Sequence, residues 1–110
     1  MSSTDYITAC EWRKRNEKLF NDKIVLPALS DAAHGRPVLI KAYCEEIRRK
    51  DRVDSTGQPV KVQNNHASIF ARMVWVEHPE VRPHLRLRKS GWDDLFGIKI
   101  GVDGKPRMVG

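Results

Sequence analysis

Asn64-Asn65-His66-Ala67-Ser68-Ile69-Phe70-Ala71-Arg72-Met73-Val74-Trp75-Val76-Glu77 has a start, two unlike faces and a stop. Asn64 or Asn65 serves as N-cap, its side-chain oxygen accepting a hydrogen bond from an otherwise unpaired backbone N–H. Pro79 lies just past the end and keeps His78 out of helical geometry. At roughly 100° per residue, Ile69, Phe70, Met73 and Val74 fall on one side, with His66 and Glu77 at its two ends. Ser68, Arg72 and Trp75 fall on the other. A surface helix needs one buried stripe. The spacing therefore predicts a helix over 64–77 whose second face offers a hydroxyl, a guanidinium and an indole to the outside.

Upstream, Pro37 to Lys50 reads as another helix, with Pro37 suited to its first position. Ile40, Tyr43, Cys44 and Ile47 form its apolar stripe, which is expected to pack against Ile69, Phe70, Met73 and Val74. Ser2 to Asn21 reads as a first helix with Ser2, Ser3 and Thr4 as caps, its periodicity interrupted by Arg13-Lys14-Arg15-Asn16. That basic run suits either a phosphate contact or a solvated face. Lys23 to Ala33 reads either as a short strand at Ile24-Val25-Leu26 or as a short helix ending at Gly35, and Pro27, which fits a first helical turn, favours the helix. Asp51 to Gln58 is a loop, and Pro59-Val60-Lys61-Val62 is a short strand candidate.

Downstream, His78-Pro79-Glu80 opens one more helical turn. Leu85-Arg86-Leu87-Arg88-Lys89 alternates apolar and basic residues, as a half-buried strand does. Trp92, Leu95 and Phe96 cluster around Asp93-Asp94. Ile98 to Val102 alternates again, and Asp103-Gly104 signals a hairpin beyond which Pro106 to Gly110 either pairs or frays.

The 110 residues suit one domain, and 40% hydrophobic with 31% charged residues supports a packed core. The net charge of +6 is uneven: zero over residues 1–35, +2 over 36–58 and +4 over 59–110. A basic surface holds polyanions by releasing counterions from phosphates. Cys10 and Cys44 are too few and too far apart for a disulfide framework, and they read as small buried hydrophobes of a cytoplasmic protein. No apolar run is long enough for a membrane span. His34, His66, His78 and His84 lack metal-ligand spacing, and the seven glycines form no phosphate-cradling loop. No cofactor or metal is expected. A metal-dependent nuclease using Asp51, Asp54, Asp93, Asp94 and Lys61 is the enzyme class that comes nearest, with no strand-borne acidic motif behind it.

The order helix, short strand, helix, turn, strand, apolar-rich turn, strand over residues 37–102 resembles winged helix-turn-helix DNA-binding domains. The resemblance implies an α+β, mainly helical fold. It comprises an N-terminal helical extension over residues 1–36 and a winged-helix-like core with a small antiparallel C-terminal sheet over 37–110. It also implies that the 64–77 helix, or the turn after it, reads DNA, and that Leu85–Lys89 and Ile98–Val102 are the wing strands.

Two functions follow as expectations. The first is nucleic-acid binding without catalysis, duplex DNA ranking ahead of RNA. Its contacts would come from Lys61, Asn64, Asn65, Ser68, Arg72, Arg82, Arg86, Arg88, Lys89 and Lys99, with Arg72 at a base edge and the strand arginines on phosphates. The second is a protein-interaction module, a small adaptor or inhibitor, using Trp75 or the Trp92, Leu95 and Phe96 cluster. The surplus apolar groups of the first helix and an outward Trp75 also point to a homodimer.

Overall fold

The computed structural model describes residues 3–49, 57, 62, 64–88 and 90–109, with Ser3 and Asn64 described through their backbone alone. Helical backbone dominates: α1 (Ser3–Arg15), α2 (Glu17–Phe20), a π-helical turn (Asn21–Val25), α3 (Leu26–Ala33), α4 (Ile40–Arg49) and α5 (Asn64–Glu77). Two 3₁₀ turns follow, Pro79–His84 and Asp93–Phe96. A two-stranded antiparallel sheet, β1 (Ile98–Ile100) and β2 (Pro106–Met108), completes the chain. The architecture is α+β and mainly helical. The candidate strand at 59–62 and the loop at 51–58 fall largely outside the described residues.

The expected single helix over 2–21 is broken. Asn16 leaves helical geometry at φ −122°, ψ 38°. Its buried side-chain amide donates to the Trp12 carbonyl at 2.9 Å, so the asparagine replaces helix continuation with a local bond. Farther on, Pro27 has no N–H for the Lys23 carbonyl. The preceding residue, Leu26, bonds five residues back to Asn21, and the helix widens to a π turn there. Then α3 closes at His34 and Gly35, where glycine takes φ +70°.

Helix α4 begins three residues later than expected. Val38 N–H donates to the His84 carbonyl at 3.0 Å, which holds 37–39 outside the helix. The Tyr43 hydroxyl donates to the Asp31 carboxylate and Arg36 Nε to the same group at 2.9 Å, tying α4 to α3. Burial and the Asp31 carboxylate push the Tyr43 phenol up to about 12.

The expected core pairing forms. Ile40, Cys44 and Ile47 of α4 are buried, Tyr43 is half-buried, and α4 packs on α5, where Ile69, Phe70, Met73 and Val74 are buried. Burial pushes the Cys44 thiol up to about 12, consistent with a small hydrophobe. The rings of Trp12, Phe20 and His66 surround Phe70, with centroids 5.1, 5.2 and 5.7 Å away. His66 lies deeper than the core edge expected for it, fully enclosed.

The two-faced reading of α5 is overturned. Helix α1 packs on one side, α4 on another, and the 3₁₀ turn at Asp93–Phe96 on a third. Arg72 is 2% exposed and Trp75 is 3% exposed, so neither faces outward. Ala67 and Ala71, buried alongside Arg72, have side chains small enough for close approach.

The predicted wing is also different. The Leu85–Arg88 segment opens in extended backbone at Leu85, with Leu85 and Leu87 buried and Arg86 and Arg88 exposed, but it pairs with no strand among the described residues. Instead β1 pairs with β2, Ile98 opposite Met108 and Ile100 opposite Pro106. The Asp103-Gly104 turn joins them, Gly104 taking φ +78°. A short hairpin costs little loop-closure entropy, which favours this partner over the more distant 85–89 segment. No helix of the described residues is long and apolar enough to cross a membrane.

Candidate functional site

Arg72 organises an open groove on the surface. Its Nε donates to Asp93 Oδ1 at 2.7 Å, and Nη1 to Ser68 O at 2.9 Å and Ser68 Oγ at 3.0 Å. Nη2 donates to the Arg88 carbonyl. The other carboxylate oxygen of Asp93 accepts the Ser90 N–H at 2.9 Å. One buried guanidinium thus fastens α5, the Leu85–Arg88 segment and the Asp93 turn together. Such a charge is tolerable in the interior because its donors are paired.

Between these elements lies a groove of about 830 Å³. Its floor is α5 at Ala67, Ser68 and Ala71, where short side chains leave space. Leu39, just before α4, and Lys41 in its first turn line it as well, together with Leu85–Arg88 and Trp92. Leu39 is 56% exposed. Lys41, Arg86 and Arg88 are exposed and make no ion pair among the described residues. Glu45, the only carboxylate among the described residues lining the groove, is paired with Arg48 at 2.7 Å. The groove is therefore apolar at its base and cationic at its rim.

Of the residues expected to contact nucleic acid, Ser68, Arg72, Arg86 and Arg88 come together here, with Arg72 buried beneath the surface. Asn65 lies apart, its amide reaching Asp5 Oδ2 at 3.3 Å. Arg82 closes the end of α5, donating from Nε to Trp75 O at 2.8 Å and from Nη2 to Val76 O at 3.2 Å. Its guanidinium stacks 4.2 Å from the centre of the Trp75 ring. Lys99 is on β1 beside a separate depression of about 520 Å³ that also holds Asp93 and Asp94. Lys61, Lys89 and the Asn64 side chain lie outside the described residues.

The residues expected to bind a protein partner are divided as well. Trp75 and Trp92 are buried, Leu95 is exposed, and half-buried Phe96 meets Tyr6 edge-to-face at 5.3 Å. The indole N–H groups of Trp12, Trp75 and Trp92 and both ring nitrogens of His66 are buried without hydrogen-bond partners among the described residues. Among the described residues, no group of three or more His, Cys, Asp or Glu side chains is placed to hold a metal ion.

Sequence reading missed Leu39 and Lys41 as site residues and missed the groove floor. The available signal was the Ala67, Ala71 pair at four-residue spacing, which lines up on one side of a helix. The chain matches no protein-family model, no curated protein and no solved structure.

Proposed function

We propose that this protein is a small, non-catalytic protein-interaction module that docks a polypeptide partner in the groove between α4, α5 and Leu85–Arg88. The carrying observation is an open groove of about 830 Å³ whose rim presents Leu39, Lys41, Arg86 and Arg88 without ion-pair partners among the described residues. Its size falls in the range of binding clefts, and its lining combines an apolar base with polar groups that fix orientation.

The nucleic-acid reading draws support from the net charge of +6 and from exposed Arg86 and Arg88. The polypeptide reading has the advantage at α5. A groove-reading helix needs an outward face, whereas Arg72 and Trp75 are buried and Ser68 is bonded to Arg72. Trp75 also needs no second subunit to cover it.

The test is selection from a random peptide display library on the intact protein and on two variants, Leu39→Asp at the rim and Ala71→Phe at the floor, each checked by circular dichroism. Peptides enriched on the parent and lost from both folded variants support the reading. No enrichment, or enrichment indifferent to both changes, overturns it. Duplex DNA binding abolished by Arg86→Glu with Arg88→Glu, in a protein that enriches no peptide, would establish the nucleic-acid reading instead.

A further inference from the structure

We infer that the groove's occupant is an extended, acidic peptide segment that adds as a β-strand along Leu85–Arg88. This rests on the protein-interaction reading and specifies the partner's conformation and charge.

Three observations carry it. First, the segment alternates as a strand does, with Leu85 and Leu87 inside and Arg86 and Arg88 outside, and it opens in extended backbone at Leu85 (φ −110°, ψ 114°). Second, its backbone is unpaired. Among the described residues, the N–H and C=O groups of Arg86 make no hydrogen bond, while the His84 and Arg88 carbonyls, two residues to either side and so on the same edge, are held by Val38 N–H and Arg72 Nη2. The segment is thus fixed at both ends and from beneath, with a free ladder position between, so little ordering entropy opposes pairing. Main-chain hydrogen bonds supply affinity in strand addition, and pockets for alternate side chains supply selectivity. Third, the charges choose the occupant. Arg86, Arg88 and Lys41 lack ion-pair partners among the described residues, so carboxylates on alternate peptide residues complement them. A second copy of the same segment would set arginines against arginines, the arrangement by which exposed edges avoid self-pairing. Exposed Leu39, which lines the same groove, suits an apolar residue between the acidic ones.

The probe is a dye-labelled, end-capped peptide, Asp-Val-Glu-Thr-Glu-Val-Asp, with a second peptide carrying Lys at each acidic position. Anisotropy with the intact protein is expected to show binding of the acidic peptide and at least about tenfold weaker binding of the basic one, roughly 1.4 kcal/mol. The double change Arg86→Glu, Arg88→Glu should reverse that preference, since both side chains are exposed and the fold does not depend on them. N-methylation of alternate peptide amides should abolish binding in one register and spare it in the other, because only alternate amides face a paired strand. Hydrogen exchange at the Arg86 amide should slow on binding, while the Leu87 amide, on the other edge, is unaffected.

Equal binding of acidic and basic peptides overturns the proposal. So does indifference to N-methylation in both registers, or unchanged exchange at the Arg86 amide. If library-selected peptides still occupy the groove and are lost from Leu39→Asp, only the strand-addition inference falls. If no peptide binds, the protein-interaction reading falls with it.

Discussion

Arg72 Nε and Asp93 Oδ1 meet at 2.7 Å, both side chains within a few per cent of full burial and 21 residues apart in the chain. Removing one partner leaves the other's charge stranded. Arg72→Met is expected to destabilise the fold by roughly 3–5 kcal/mol, whereas joining it to Asp93→Leu should recover much of the loss. Urea unfolding of the two single variants and the double variant measures this. An Arg72→Met protein as stable as the parent would show that the pair does not hold the groove wall in place.

Phe70 is enclosed by the rings of Trp12, Phe20 and His66. Truncation to alanine leaves a cavity beneath both α1 and α4. Phe70→Ala should cost about 3–5 kcal/mol, read as a shift of the denaturant midpoint at unchanged slope.

His66 makes stability depend on pH. Burial lowers its pKa. Asp5 pulls the pKa back up, while Arg48 pushes it further down. In the unfolded chain the imidazole takes its proton near pH 6.5. Below that pH the unfolded state binds more protons than the folded one, so stability rises with pH. The stabilisation is complete above about pH 6.5 and erodes as pH falls from there toward the depressed folded value. Unfolding midpoints at pH 7.5, 6.0 and 5.0 should fall more steeply in the parent than in His66→Leu. Parallel curves would remove His66 as the cause.

Arg13 and Glu77 form a two-pronged pair, Nη1 to Oε2 at 2.5 Å and Nη2 to Oε1 at 2.7 Å, joining α1 to the end of α5. Both ends are partly solvated, so a double-alanine cycle should give a coupling of no more than about 1 kcal/mol. The hydrogen bond from Arg13 holds the Glu77 carboxyl below its ordinary range. The coupling should therefore be present at neutral pH and disappear as acid protonates Glu77 below that range. Cycles at pH 7 and in acid check both statements.

Much of α5 was legible because its stop signal is local. Pro79 acts through its neighbours, and helix bounds and the apolar stripe at 69–74 follow from that and from periodicity. The second face was not legible. Periodicity assigns Arg72 to the side away from Phe70, but nothing in residues 64–77 announces Asp93, and a buried ion pair is a long-range fact. Trp75, on the same side by periodicity, needs a cover, and the chain itself supplies it, with the Arg82 guanidinium stacked on its ring. Leu85–Arg88 shows the complementary case. Alternation correctly gave which side chains are buried but carries no information on strand pairing, and the unpaired backbone that shapes the candidate site emerges only from the fold. The start of α4 likewise slipped because the His84 carbonyl competes for Val38.

The placement of α5 late in the chain has a consequence for synthesis. Arg13 finds Glu77 only 64 residues later, and Trp12 and Phe20 close on Phe70. A chain growing from its N-terminus therefore exposes the apolar groups of α1–α3 before the helix that buries them has been made. Early segments must wait as unsheltered helices, open to holdase chaperones, and a nascent chain arrested before residue 64 should remain protease-sensitive however long it is given to fold.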